Sequence, residues 1–178
     1  DGDEVVVDVA AFDEPSVIDS LYLENLESGP FPAIDGELRR YRVPVAGGPV
    51  ERETLFANGV TLPRISPGRN TRPYRYAYGQ GPPDSEAGLD QRLLKVDTRS
   101  GEAVEWAEPG TYCGEPVFVP RPGGDREDDG VVLSVVLDTG AGRSSLLVLD
   151  GETFSEVARA PLPQVVPFDF HGQFFPEL

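Results

Sequence analysis

Apolar residues in this chain occur in short runs bounded by turns, the pattern of many short β-strands rather than of long helices. Glu4–Ala10 (EVVVDVA) is rich in valine and predicts a buried strand. Leu38–Val43 (LRRYRV) alternates apolar residues with arginine, as a half-exposed strand does, and Val50–Phe56 returns after a turn as its antiparallel partner. Val60–Ile65 leads into a loop dense in proline, glycine and asparagine, and a further strand is predicted at Tyr74–Tyr78.

The second half of the chain predicts a hairpin and then a four-stranded unit. Arg92–Asp97 and Glu102–Trp106 flank a turn and form the hairpin. Four short strands joined by turns follow, at Pro116–Val119, Val131–Asp138, Ser145–Leu149 and Val157–Leu162. Four antiparallel strands of this size match one blade of a β-propeller, and a β-sandwich is the alternative that strand counting leaves open.

A weak internal repeat supports the propeller interpretation. The segment LLKVDTRSGEAVEW recurs as LLVLDGETFSEVAR, each reading as strand, aspartate, turn and strand. The two copies are about one blade apart.

One helix is predicted in the first part of the chain, at Ser16–Ser28. Ser16 with Asp19 makes a capping-box pattern, and Gly29 and Pro30 end the segment. Its apolar residues fall at helical spacing: Ile18, Leu21, Tyr22 and Leu26. We expect a connection packed outside the sheets.

Length and composition indicate one globular unit. The chain has 178 residues, 39% of them hydrophobic, which is enough for one domain with a core. No apolar run approaches the roughly 20 residues that span a bilayer, and no signal peptide is recognisable at the start. Because the first residue is Asp1 and not Met, we expect the chain to begin within a longer protein or after processing.

The charge is strongly negative, with 31 acidic residues against 15 basic ones and a net charge of −16. Such a surface argues against nucleic-acid binding, which needs basic residues. The acidic residues are spread along the chain, and Lys95 is its single lysine. Ordinary solubility and adaptation to high salt both explain this composition, and we favour a halophilic source.

Cys113 is the single cysteine, so neither an intramolecular disulfide nor a cysteine-based metal cluster is possible. This predicts a reducing, cytoplasmic location. We interpret Cys113 as a small, half-buried hydrophobic residue rather than as a nucleophile.

Two residues are candidates for a site. His171, the single histidine, lies near Phe168, Phe170, Phe174 and Phe175. By itself it is either a packed aromatic residue or one ligand of a metal site, and one nitrogen donor makes no catalytic metal centre.

Glu115 lies between Gly114 and Pro116, which fix its backbone. It could accept the second N–H of a metal-binding imidazole, or it could be a turn carboxylate that faces water.

Other motifs predict no chemistry. Glu127-Asp128-Asp129 lacks the spaced ligands of a calcium loop and is interpreted as a solvated loop. Gly81–Gly88 carries no phosphate-loop lysine, and Gly142-Arg143-Ser144 is not a G-x-S-x-G elbow.

Four stretches taken together resemble the carotenoid cleavage oxygenase family, which includes the retinal-pigment-epithelium isomerase and the lignostilbene dioxygenases. They are DGDEVVVD at the start; RPYRYAYG at 72–79; GEPVFVPRP at 114–122, continuing through EDDG to VVLSVV; and EVARA at 156–160, ending in FHG at 170–172. The similarity extends over the whole chain, in order.

The resemblance implies an all-β fold, the C-terminal blades of a seven-bladed β-propeller with one short connecting helix. In the family, four histidines on the axis hold Fe(II), and glutamates support most of them. By this resemblance His171 is the last of the four ligands and Glu115 is the glutamate that hydrogen-bonds it. Residues 1–178 would then be the C-terminal part of a single propeller domain, roughly its last three blades.

Thr61 departs from the family pattern, because a glutamate that supports an upstream histidine usually stands there. Threonine can make one hydrogen bond but brings no negative charge.

The function implied is oxidative cleavage of a conjugated C=C bond of a carotenoid, apocarotenoid or stilbenoid, using Fe(II) and O2. We expect the chain alone to be inactive, because three iron ligands would lie upstream. Any peripheral membrane contact is expected through parts outside this chain. The alternative is a non-catalytic propeller that binds partners or ligands, which Thr61 supports.

Overall fold

The computed structural model describes residues 2–19, 22–28, 36–82, 92–167 and 171–176. Within these ranges the chain forms twelve strands. They are β1 (Glu4–Ala11), β2 (Glu37–Pro44), β3 (Glu51–Phe56), β4 (Thr61–Ile65), β5 (Tyr76–Gly81), β6 (Arg92–Asp97), β7 (Glu102–Trp106), β8 (Thr111–Cys113), β9 (Val117–Pro120), β10 (Gly130–Asp138), β11 (Arg143–Asp150) and β12 (Glu156–Pro161).

The strands form three antiparallel sheets, each built from consecutive strands. The first sheet has the order β1-β2-β3 and the second β4-β5-β6-β7. In the third, β12, β11 and β10 are neighbours, and β8 and β9 both pair with the far side of β10. Successive sheets contact each other near their first strands, since β1 contacts β4 and β4 contacts β9. This is how propeller blades stand around an axis, and the predicted all-β propeller class is confirmed.

The internal repeat occupies equivalent places in two sheets. The strands β6 and β7 have the predicted bounds, and β11 and β12 are their counterparts in the third sheet. Asp97 accepts the backbone N–H of Arg99 at 3.0 Å, and Asp150 accepts that of Thr153 at 2.8 Å. Each aspartate therefore stabilises the turn that follows its strand, which gives the repeat a local physical cause.

The core lies between neighbouring sheets. One cluster joins the second and third sheets and consists of Tyr78, Leu93, Cys113, Phe118, Val132, Val136, Leu147, Leu149 and Phe154. In it the ring of Tyr78 stacks on that of Phe118 with centroids 5.3 Å apart. A second cluster joins the first and second sheets: Leu38, Leu55, Phe56, Val60, Ala77, Leu94 and Val96. Cys113 is fully buried, not half-buried as predicted.

The prediction that the first strand is buried was wrong. In β1 the side chain of Val5 is 53% exposed, and Val7 and Val9 are exposed as well. The strand is the edge of its sheet, and no described residue covers these valines. A valine-rich run indicates side chains suited to burial, but they are buried only where another sheet or helix packs against them.

The predicted helix contains two helical segments in the described residues, α1 (Ser16–Asp19) and α2 (Leu23–Ser28). Residues 20 and 21 between them, and the predicted stop at residues 29 and 30, lie outside the described ranges. Most of the Gly81–Gly88 segment also lies outside them, because 83–91 are not described. No helix in the described part of the chain is long and apolar enough to cross a bilayer.

Candidate functional site

A bulge in the third sheet places Glu115. Cys113 pairs with Val136 and Val117 pairs with Leu133, so three residues on one side face two on the other. Because Pro116 has no N–H, it cannot continue the ladder at this point. Such bulges bend a strand and redirect a side chain, and they are common beside active sites.

Glu115 and His171 are hydrogen-bonded. Nδ1 of His171 lies 3.1 Å from Oε1 of Glu115, and the backbone N–H of Gly172 donates to Oε2 at 2.9 Å. The Glu115 side chain is only 2% exposed, which excludes the alternative of a turn carboxylate facing water. An ionised carboxylate only accepts, so Nδ1 is the donor in this contact, and a neutral imidazole would then have its lone pair on Nε2.

His171 is not a packed core residue. Its side chain is 62% exposed, and Phe174 and Phe175 beside it are exposed too. Phe168 and Phe170, which were expected to surround it, lie outside the described residues. The structure therefore shows a surface imidazole anchored to a buried carboxylate.

A second bulge lies in β4. Thr61 pairs with Gln80 and Arg64 pairs with Tyr78, so two residues of β4 face Gly79 alone. A Cβ on Gly79 would lie 3.0 Å from the carbonyl oxygen of Thr61 and closer still to Val60, so only glycine fits there. Steric crowding thus explains why the RPYRYAYG motif ends in glycine.

The bulge in β4 brings Arg64 to the candidate site. Nη1 of Arg64 lies 3.5 Å from Oε2 of Glu115, and Nη2 donates to Oε1 of Gln173 at 3.0 Å. Neither Arg64 nor Gln173 was predicted as a site residue. Their contacts join residues 51 and 109 positions apart, and the sequence contains no local signal for them.

Thr61 is the first residue of β4 and is half-buried. Its partner Gln80 donates to the carbonyl oxygen of Cys113 at 2.5 Å, which connects the second sheet to the bulge that carries Glu115. Thr61 brings a hydroxyl and no charge to this part of the protein. Its correspondence to the family glutamate stays a prediction.

The Glu127-Asp128-Asp129 segment is not a solvated loop, and that interpretation was wrong. Asp128 is buried and lies 2.8 Å from Nζ of Lys95, which also donates to the carbonyl oxygens of Gly151 and Glu152. Lys95 is itself buried, and its Nζ lies 4.2 Å from the ring centroid of Tyr76. The one lysine of the chain thus ties the second sheet to the third.

Glu127 has a related role. Its Oε1 accepts the backbone N–H groups of Arg75 and Tyr76, at 2.7 and 2.8 Å. These two N–H groups lie where β5 begins. A side chain next to the third sheet therefore provides the hydrogen-bond acceptor for backbone groups at the start of a strand in the second sheet.

Ser144 is used structurally, in agreement with the absence of a nucleophile elbow. Its hydroxyl donates to the carbonyl oxygen of Val166 and accepts the N–H of the same residue, both at 2.9 Å. This pair of hydrogen bonds fixes the backbone at Val166, a few residues before His171.

Among the described residues, no group of three or more His, Cys, Asp or Glu side chains could hold a metal ion. A single imidazole held by a buried carboxylate is the arrangement that a metal-binding histidine typically has. The residues present therefore fit one ligand of a larger site.

A family model described as RPE65, retinal pigment epithelial membrane protein, matches residues 1–176. Among curated relatives, carotenoid cleavage dioxygenase 8 homolog A of Oryza sativa subsp. japonica is 37% identical over 187 residues, covering 99% of this chain and 34% of the relative. Carotenoid isomerooxygenase of Galleria mellonella is 36% identical, covering 97% of this chain and 36% of the relative. The chain thus spans about a third of the length of these relatives.

Solved structures agree with the sequence matches. A single-residue variant of Synechocystis apocarotenoid oxygenase superposes with a TM-score of 0.82 and 28% identity over 97% of this chain and 37% of that one. The cobalt-substituted form of the same enzyme gives a TM-score of 0.80, with the same identity and coverage. By sequence and by fold, the chain belongs to the carotenoid cleavage oxygenase family, the family described by the retinal pigment epithelial membrane protein model.

Proposed function

We propose that this chain is the C-terminal part of a non-haem Fe(II) oxygenase that uses O2 to cleave a conjugated C=C bond. The observation that carries the proposal is the hydrogen bond between Glu115 and Nδ1 of His171, at 3.1 Å. It fixes the imidazole in the tautomer that presents Nε2 to a metal. Membership of a family whose members include carotenoid cleavage dioxygenases supplies the reaction class.

His171 is the ligand that this chain supplies to the iron. The other protein ligands come from parts of the protein outside these 178 residues, because the chain has one histidine. Imidazole nitrogen is a ligand type that suits Fe(II), and neutral ligands leave the metal its full charge. When bound, the iron supplies the site at which O2 is activated.

The proposed substrate is an apolar polyene, a carotenoid or apocarotenoid, or a related stilbenoid. The names of the relatives support the carotenoid class, among them the β,β-carotene 15,15'-dioxygenase of Rattus norvegicus, 37% identical over 70% of this chain. A net charge of −16 disfavours nucleic acid as a partner. A cytoplasmic location and a halophilic source remain part of the proposal, as does peripheral membrane contact through other parts of the protein.

A second candidate is a propeller without catalysis that binds partners or ligands. The observation that favours it is Thr61, a residue without charge at the position expected for a supporting glutamate. Iron content separates the two candidates, because the non-catalytic propeller has no need of the metal.

The test compares the full-length protein with its His171→Ala variant. Iron per protein after desalting and bleaching of a polyene under air are both measured, and Phe175→Ala, a change at an exposed neighbour, is the control. We expect His171→Ala to lose iron and cleavage together and the control to keep both. The thermal midpoint should change little, because the His171 side chain is largely exposed.

Retention of iron and of bleaching by His171→Ala would exclude His171 as a ligand. A wild-type protein that binds no iron and bleaches no polyene would favour the non-catalytic propeller. The isolated 178-residue chain should bind Fe(II) no better than its own His171→Ala variant, since one imidazole is a weak site.

A further inference from the structure

Arg64 joins three pieces of the protein that are built separately. It belongs to β4, an edge strand of the second sheet. Its guanidinium reaches Glu115 in the bulge of the third sheet and Gln173 in the segment 171–176. The segment 171–176 forms neither helix nor strand, so side-chain contacts contribute much of what holds it in place.

The geometry is that of a fork. Nη1 of Arg64 lies 3.5 Å from Oε2 of Glu115, the same oxygen that accepts the N–H of Gly172 at 2.9 Å. Nη2 donates to Oε1 of Gln173 at 3.0 Å. The two terminal nitrogens of a planar guanidinium can donate to two separate acceptors in a fixed geometry, which the single ammonium of a lysine does not match.

The charge of Arg64 also matters to Glu115. The carboxylate is only 2% exposed, and burying an anion is costly unless it is paired and hydrogen-bonded. Arg64 supplies the permanent positive charge, because a guanidinium stays protonated in proteins. The Arg64 side chain is 31% exposed, so water screens this contact only in part.

We propose that Arg64 is a positioning residue that clamps Glu115 and the segment 171–176 together and thereby sets the direction of the His171 imidazole. Glu115 holds the imidazole directly, and Arg64 holds Glu115 from the other side. The bulge of β4 serves to aim Arg64 at this point, as the bulge at Glu115 aims the carboxylate. The clamp itself does not depend on the proposed function. Its effect on a bound metal does rest on the proposed function.

The test uses the full-length protein and the variants Arg64→Met, Arg64→Lys and Gln173→Met. The matched control is Arg69→Met, because Arg69 makes the same kind of pair with a different carboxylate: its Nε lies 3.6 Å from Oε2 of the largely buried Glu127. Hydrogen exchange of the Gly172 amide reports on the clamp without any metal. The rate of Co(II) dissociation, monitored through the visible absorption of the bound metal, reports on how firmly the imidazole is oriented.

We expect Arg64→Met to speed exchange at Gly172 by about five- to tenfold and Co(II) release by about three- to tenfold, with Arg69→Met unchanged in both. Arg64→Lys should restore the exchange rate only in part, because it keeps the charge and loses the fork. Gln173→Met removes one acceptor at an exposed position, so it gives a reading even if the Arg64 variants fail to fold. In the double variant Arg64→Met/Gln173→Met the two effects should not add.

Unchanged exchange at Gly172 in Arg64→Met and in Gln173→Met would overturn the clamp. An equal acceleration in Arg69→Met would overturn it too, because it would show a general effect of lost charge. If the wild type binds no Co(II) while exchange responds as expected, the clamp stands and the proposed metal function fails. If Co(II) binds and exchange does not respond, the proposed function stands and the clamp fails.

Discussion

Nδ1 of His171 lies 3.1 Å from a carboxylate oxygen of Glu115, a residue 56 positions earlier in the chain. One partner is largely exposed and the other is almost fully buried. The buried carboxylate is anchored by the sheet, so it holds the exposed ring in one orientation. Under the proposed function, a single substitution here should alter metal binding and leave the fold intact.

Glu115→Gln should weaken metal binding without unfolding the protein. The amide keeps the size of the side chain but accepts more weakly from Nδ1 than a carboxylate does. Losses of this kind typically cost about 10–100-fold in metal affinity or activity. Iron occupancy and turnover of the full-length protein measure the effect.

The control for that variant is Glu105→Gln, which removes a carboxylate from an exposed pair with Arg92. It should leave iron occupancy unchanged. Wild-type occupancy in Glu115→Gln would show that Glu115 serves only the local structure of the bulge.

Lys95→Met should destabilise the chain strongly. It would leave the buried carboxylate of Asp128 without its cation and the carbonyl oxygens of Gly151 and Glu152 without their donor. Removing one partner of a buried pair costs about 3–5 kcal/mol. The free energy of unfolding in urea measures it.

Arg126→Met is the comparison for Lys95→Met, because Arg126 pairs with Glu152 at the surface. It should cost far less than Lys95→Met, because exposed ion pairs contribute little to stability. Equal losses in the two variants would show that burial of the Lys95 pair is energetically unimportant.

The isolated chain should self-associate through the face of the first sheet. Val5, Val7 and Val43 expose apolar surface there, and β1 leaves one strand edge unpaired. Val5→Thr with Val7→Thr should reduce light scattering, whereas Ile18→Thr on α1 should not. A monomeric, cooperatively melting wild-type chain would contradict the prediction.

Asp150→Ala should reduce stability at neutral pH and lose its effect in acid. The backbone N–H of Thr153 holds the pKa of Asp150 below its usual range. A lowered folded-state pKa means that the stabilisation is present above the unfolded pKa and is lost as pH falls through the folded one. Urea unfolding at pH 7 should give a lower free energy of unfolding for the variant than for the wild type, and the gap should shrink below about pH 4. A gap of the same size at pH 3 would assign the effect to packing instead.

Added KCl should raise the thermal midpoint of the protein. With a net charge of −16, the negative side chains repel one another in the folded state, and salt screens that repulsion. Equal midpoints at low and molar KCl would remove the argument for a halophilic source.

Much of the secondary structure could be predicted from the sequence because its causes are local. The strands Arg92–Asp97 and Glu102–Trp106 have the predicted bounds, since alternation and turn residues act within a few positions. The short strand Thr111–Cys113 was missed, because three residues give no period to recognise. The family likewise followed from motifs in the sequence, and the comparisons confirmed it.

What only the tertiary structure decided concerns burial and long-range contacts. The sequence by itself could single out His171 and Glu115, but it could not show that Arg64 and Gln173 meet them, because two bulges on different sheets create that meeting. It placed Asp128 in water and the valines of β1 in a core, and the structure reverses both. The physical reason is that residue type sets how well a side chain tolerates burial, whereas the packing of one sheet against another decides which side chains are buried.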